Sequence, residues 1–405
     1  MNIPLFRTDC GPEELRRVGE VLASGWLTTG EVAREFEERF AEAVGARHAV
    51  SVDSGTAALM LAAEAAKIRP GVVALVPTFT FTATAEVVHR LGGTVVLADC
   101  DPDSGLLTPE ILEETLNRHP EVRVAFVVHL GGLAADLEAM LAICERRGVL
   151  LIEDAAHAFP SRYPSHRRMV GAGGSLAACF SFYANKTITC GEGGMLVTDD
   201  AMVAERARRL RLHGMVRESD QVPIRYDVPV AGFKCNLSDI HAAVGLAQLE
   251  RSDHLHAQRI RVARRYLDGL ASQRGIAVPV AGPRLEDHAW HLFSVLVDES
   301  GPIDRDRLAR DLATHGIGTS IHYRPLHRLS HWREACRAGA DERLFPGAER
   351  RWRGTLSLPI FPSMTDDEVD RVGGVIAKAF VATDSHSPDA RSPSDPMIIG
   401  STGSS

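Results

Sequence analysis

A single lysine stands between an aromatic strand and a glycine-rich turn in the segment F-S-F-Y-A-N-K-T-I-T-C-G-E-G-G-M-L, residues 180–196. An amine on a flexible stem becomes a nucleophile toward aldehydes once burial or cationic neighbours lower its pKa. Phe180, Phe182 and Ile188 are the residues placed to bury Lys186. Upstream, the apolar run Val149, Leu150, Leu151, Ile152 is followed by E-D-A-A-H-A at 153–158. Such a run suits a strand buried on both faces of a parallel sheet, and it puts Asp154 at the strand's C-terminal end, where open α/β sheets bind ligands. Capping of the next helix is an equally good reading of Asp154. His157 reads as a site residue or as a satisfied core histidine.

A third group opens the alanine-rich segment 57–66. His48 to Val52 alternates like a strand, and D-S-G-T at 53–56 leads into the helix. A helix N-terminus offers free N–H groups and a favourable dipole to an anion, so Ser54, Gly55 and Thr56 are candidates to hold a phosphate; an N-cap without ligand is the plainer reading.

These groups need a scaffold. Leu15, Val18, Val21 and Leu22, then Val32, Phe36, Phe40 and Val44, predict two amphipathic helices before the first strand. Strands and helices then alternate: strands at 72–76, 94–98, 122–128 and 149–153, with helices near 83–91, 109–116 and 137–147 between them. This alternation predicts a large, mostly parallel α/β sheet. Strands at 177–182 and 195–198 flank Lys186, and a helix follows at 200–212. Residues 214–233, with two prolines and no periodicity, read as a surface loop able to act as a lid. A long helix at 237–270 bridges two domains. A strand at 291–297, a helix at 304–315, a strand at 319–323 and a helix at 366–380 predict a smaller α+β C-terminal domain. The expected division is 1–245, 246–382 and a disordered tail at 383–405, rich in Ser, Pro, Asp and Gly.

Composition narrows the partners. Against 45 Lys+Arg stand 53 Asp+Glu, a net charge of −8 over 405 residues, which gives no electrostatic reason to expect nucleic acid or an anionic membrane. Seven cysteines without a C-x-x-C pair read as reduced thiols. With no signal-like N-terminus and no long apolar run, the protein is expected in the cytoplasm.

An imine-forming lysine, a strand-end carboxylate and a phosphate turn together fit pyridoxal phosphate. Lys186 would hold the aldehyde and Asp154 the protonated pyridine nitrogen. Gly55, Thr56 and Ser181 would bind the phosphate, and Phe81 would stack on the ring. S-G-W-L-T-T-G (24–30), S-G-T-A-A-L (54–59), E-D-A-A-H-A (153–158), the Lys186 segment and G-F-K-C-N-L-S-D-I (232–240) resemble the DegT/DnrJ/EryC1/StrS family of sugar-nucleotide aminotransferases, from about residue 4 to 380. H-A-W-H-L-F (288–293), G-I-G-T-S-I-H-Y-R-P-L-H (316–327) and S-L-P-I-F-P (357–362) are most similar to members that aminate C4 of a nucleotide-linked 4-keto sugar.

The resemblance implies a type I aminotransferase fold, a homodimer with shared active sites, and L-glutamate as amino donor. It gives His157 a place beside the cofactor's phenolic oxygen or the Asp154 carboxylate. Asn236, which alone would read as a helix cap, becomes a phosphate ligand donated across the dimer. Thr29, His322 and His327 are expected to touch substrate. The sequence departs from the family at His129-Leu130-Gly131-Gly132 and in a longer loop at 163–174, both near the expected sugar pocket.

Three alternatives have specific objections. Relatives that dehydrate keto sugars replace the lysine by histidine, whereas this chain has Lys186. The glycine clusters at 171–174 and 191–194 lack the third glycine of a dinucleotide fingerprint, and the second leads into a strand. A non-catalytic regulatory protein would have little need of a complete catalytic set. No metal is expected: His322 and His327 are five apart, with no cysteine or carboxylate cluster beside them.

Overall fold

Alternating strands and helices build the first half of the chain, as seen in a computed structural model that describes residues 2–219, 225–336 and 341–384. The order begins α1 (Pro12–Ser24), α2 (Glu31–Val44), β1 (His48–Val52), α3 (Gly55–Ala65), β2 (Val73–Pro77), α4 (Ala83–Arg90), β3 (Thr94–Ala98), α5 (Pro109–Arg118), β4 (Val122–Val128), α6 (Leu137–Arg147) and β5 (Leu150–Asp154). It continues β6 (Ala177–Ser181), β7 (Gly194–Thr198), α7 (Ala201–Leu210), β8 (Val216–Ser219), β9 (Arg225–Asp227), α8 (Asp239–Glu250), α9 (Ser252–Leu270), β10 (Ile276–Ala277) and β11 (Phe293–Val297). Then come α10 (Arg305–Thr314), α11 (Ser330–Ala335), α12 (Pro346–Gly354), β12 (Thr355–Leu358) and α13 (Asp366–Asp384).

The large sheet runs β1-β7-β6-β5-β4-β2-β3. Strands β3, β2, β4, β5 and β6 pair in parallel, and only β7 runs against its neighbours β6 and β1. Helices cover both faces, so the central strands are mostly apolar, as a doubly covered sheet requires, with the carboxylates Glu153 and Asp154 at the C-terminal end of β5. A second apolar cluster joins α9, β11, α10, β12 and α13, with Ile3 of the N-terminal segment. Leu326, Trp332, Phe345 and Ala348 return to the first cluster.

The long helix expected at 237–270 is two helices broken at Arg251 (φ −98°, ψ 0°). The Arg251 guanidinium is held by Glu14 and Asp9, which fixes the bend without glycine or proline. The expected cut at 245/246 falls inside α8, whose Leu246 and Leu249 pack in the large-sheet core. Residues 214–233, read as irregular, carry the β8–β9 hairpin; 220–224 lie outside the described residues. Gly214 is required there, because a Cβ would sit 1.8 Å from the Val230 carbonyl oxygen.

The strand expected at 319–323 does not form. Ser320 makes one bridge to Ser357, and the chain then leaves the sheet so that His322 and Tyr323 line a pocket. The third strand of the small sheet is β12 instead. Of the expected disordered tail, 385–405 lie outside the described residues, and Asp384 ends α13.

Candidate active site

The carboxyl ends of β5 and β6, the N-terminus of α3 and the loop between β6 and β7 surround a cavity of about 380 Å³. That is enough for a small cofactor at the sheet edge where ligands belong. Ser54 caps α3, its hydroxyl accepting from the Ala57 N–H at 3.1 Å. The next N–H groups, on Gly55 and Thr56, start the helix and have no carbonyl within it to pair with. Gly55 is a close approach: a Cβ would lie 2.8 Å from Ser181 Cβ. The phosphate candidates Ser54, Gly55, Thr56 and Ser181 are therefore brought together on one wall.

Asp154 ends β5 and is 6% exposed. Its Oδ2 accepts from Thr84 Oγ1 at 2.7 Å, and Oδ1 from the Ala156 N–H at 3.2 Å. Burial pushes its pKa up, against the opposing pull of Thr84, Ala156 and the Lys186 ammonium. A buried carboxylate in this state favours a cationic partner.

Lys186 rides a loop tied at its base. Phe182 N–H donates to Gly193 O at 2.8 Å, Cys190 N–H donates to Phe182 O at 2.9 Å, and Thr187 hydroxyl donates to Phe159 O. Phe182 anchors it in an aromatic cluster with Phe36 and Phe40, at 5.3 and 5.2 Å. Ile188 is buried below. Burial pulls the Lys186 amine down to about 8, opposed by Asp154. Near neutral pH a useful fraction is the free nucleophile.

His157 lines the same cavity. Its Nδ1 accepts from the Gly131 N–H at 3.2 Å, and its Nε2 lies 3.1 Å from Tyr323 Oη. Phe81 is 54% exposed at the mouth, its ring 5.8 Å from that of Tyr323. His322 also lines the pocket, with Nδ1 2.8 Å from Ser357 Oγ. Burial lowers its pKa to about 4, helped by Lys186.

Three expected residues stand elsewhere. Asn236 Nδ2 donates to Thr29 Oγ1 at 2.5 Å, and the pair sits outside the pocket. His327 is buried, with Nδ1 2.7 Å from Thr78 Oγ1 and Nε2 2.7 Å from Glu349, so both ring nitrogens are occupied away from the cavity. Thr84, Tyr323, Asn185 and Glu192 were not singled out in the sequence. Thr84 lies in the repetitive run T-F-T-F-T-A-T-A, where nothing distinguishes one threonine from the next.

The fold has close counterparts. The putative sugar aminotransferase Spr1654 of Streptococcus pneumoniae, solved in PMP-form and in PLP-form, is 27% identical; its PMP-form superposes with a TM-score of 0.87, covering 95% of this chain and 99% of that one. DesV of S. venezuelae is 35% identical, with a TM-score of 0.83 over 93% of this chain and 98% of its own. This architecture, closed around a lysine and a strand-end carboxylate, is that of a pyridoxal-phosphate-dependent sugar aminotransferase. Residues 8–377 match the DegT/DnrJ/EryC1/StrS aminotransferase family, and the chain belongs to it. It is also 40% identical over 369 residues to the spore coat polysaccharide biosynthesis protein SpsC of Bacillus subtilis (strain 168), covering 89% of this chain and 93% of SpsC.

Proposed function

We propose that the enzyme moves an amino group from L-glutamate to a nucleotide-linked keto sugar, a 4-keto hexose or pentose on UDP or dTDP, yielding an amino sugar and 2-oxoglutarate. The observation that carries this is a Lys186 amine at about 8 in one cavity with a buried Asp154 carboxylate and an open helix N-terminus. These residues fit pyridoxal phosphate. Asp154 would hold the pyridine nitrogen and its proton, while Ser54, Gly55, Thr56 and Ser181 would take the phosphate. Phe81 would cover the ring, and Lys186 the aldehyde. When bound, the cofactor supplies the electron sink for the carbon that loses its proton. The freed Lys186 amine is the base that takes the proton from the donor's Cα and later returns one to the sugar carbon that gains nitrogen.

The C4 reading rests on the motifs at 288–293, 316–327 and 357–362, which come together at and behind the pocket wall formed by His157 and His322. His291 lies 4.3 Å from His157, ring to ring, and His322 reaches Ser357. Asn236 and Thr29, paired with each other outside their own pocket, suit a homodimer in which each subunit completes the other's site. Seven free cysteines suit a reducing cytoplasm. Among the described residues no helix is long and apolar enough to cross a membrane.

The test is direct. Purified protein with pyridoxal phosphate is yellow, L-glutamate bleaches it, and Lys186→Ala abolishes the exchange. A panel of UDP- and dTDP-linked 3-keto and 4-keto sugars yields amine from the 4-keto members; amine from 3-keto sugars alone defeats the C4 reading.

A further inference from the structure

The turn Leu130–Gly132 reaches the pocket through one N–H. Gly131 adopts φ +67° and donates to His157 Nδ1 at 3.2 Å. The turn is clamped. The Gly131 and Gly132 carbonyls accept from Leu292 and Ala289 at 3.1 and 3.0 Å, and a Cβ on Gly132 would lie 2.9 Å from Ala289 Cβ. A ring nitrogen that accepts carries no proton, so neutral His157 holds its proton on Nε2. Burial, aided by Lys186 and His322, keeps the ring neutral. The Nε2 proton then points at Tyr323 Oη, 3.1 Å away, and the phenol's own proton is left for another acceptor.

Burial and the Asp154 carboxylate keep that phenol protonated. The titratable groups around it are Asp154, Lys186, His157, His291 and His322. If the pocket is read as above, Lys186 takes the aldehyde, Asp154 the ring nitrogen, and the α3 wall the phosphate. The phenolic oxygen is the remaining polar atom of the ring, and Tyr323 is a pocket hydroxyl whose proton is uncommitted.

We propose that Tyr323 is a positioning residue, aimed by Gly131 through the His157 tautomer to donate a hydrogen bond to the phenolic oxygen of bound pyridoxal phosphate. His157 therefore acts on that oxygen through Tyr323, its own Nε2 proton being already committed.

Two measurements test this. In cofactor-free protein, ¹⁵N NMR of the imidazoles places the His157 proton on Nε2; a proton on Nδ1 overturns the inference. In protein loaded with pyridoxal phosphate, a donor to the phenolic oxygen drains charge from beside the Lys186 nitrogen and lets that nitrogen lose its proton at lower pH. Tyr323→Phe therefore raises the pH at which the yellow band fades by about one unit, a tenfold change. An unmoved midpoint overturns the inference while leaving the Lys186 reading intact. If the wild-type protein never colours with pyridoxal phosphate, the reading of Lys186 fails and this inference falls with it.

Discussion

Thr84 Oγ1 donates to Asp154 Oδ2 at 2.7 Å, across 70 residues of sequence, from the first turn of α4 to the last residue of β5. The bond favours the ionised carboxylate, which burial disfavours. Thr84→Val keeps the shape and removes the donor, so the Asp154 pKa rises further and its hold on a cationic ring nitrogen weakens. A lost hydrogen bond to a charged group is worth about 1.5–3 kcal/mol, so the affinity for pyridoxal phosphate falls by about tenfold or more. Fluorescence titration of the cofactor-free variant measures it; unchanged affinity refutes the role.

Lys186 makes the protein's stability depend on pH. Its amine titrates at about 8 when folded and near 10.5 when exposed, so between those values the unfolded chain binds more protons. Stability from this group therefore rises with pH across that window, and the destabilisation is full below it. Lys186→Met is expected to raise the melting temperature of the cofactor-free protein at pH 7. The gain shrinks toward pH 10.5, which paired thermal melts would reveal. A gain constant with pH would assign it to packing alone.

How far the sequence foretold the site follows from how local each signal is. Lys186, Asp154 and the turn at 54–56 each sit in one contiguous strand-and-turn unit, where apolar runs and small residues declare the geometry. Thr84 and Tyr323 gain meaning only from partners 70 and 166 residues away, which periodicity cannot register. The break between α8 and α9 was equally silent, because side-chain anchors of Arg251 replace the usual breaker residues. The strand read at 319–323 failed because its pattern serves the pocket; β12 supplies the sheet edge there.

Two glycine substitutions should part in sign. At Gly55 a new Cβ meets Ser181 Cβ at 2.8 Å and the Phe180 carbonyl at 3.3 Å, so α3 must shift away from β6. Gly55→Ala is expected to cost about 1–3 kcal/mol and to weaken phosphate binding at that helix end. Gly373, inside α13, has nothing within 4 Å of its would-be Cβ. Gly373→Ala removes backbone freedom from the unfolded chain and stabilises by about 0.5–1 kcal/mol. Chemical denaturation of both variants decides the matter.

The two histidines of the 316–327 motif should separate stability from substrate binding. His327 stacks on Phe345 at 4.5 Å and bridges Thr78 to Glu349, all inside the core. Its pKa is lowered by burial, with Glu349 opposing. His327→Leu leaves the Thr78 hydroxyl only the 3.4 Å contact from the backbone N–H of residue 327 and removes one partner of Glu349, though Arg328 keeps its hold on that carboxylate. The expected cost is about 2–3 kcal/mol of stability, with KM for the sugar unchanged. His322 faces the cavity, so His322→Ala should raise KM for the sugar and leave the melting temperature nearly unmoved. A KM effect at His327, or a purely thermal effect at His322, would reverse these assignments, and steady-state kinetics beside thermal melts distinguish the cases.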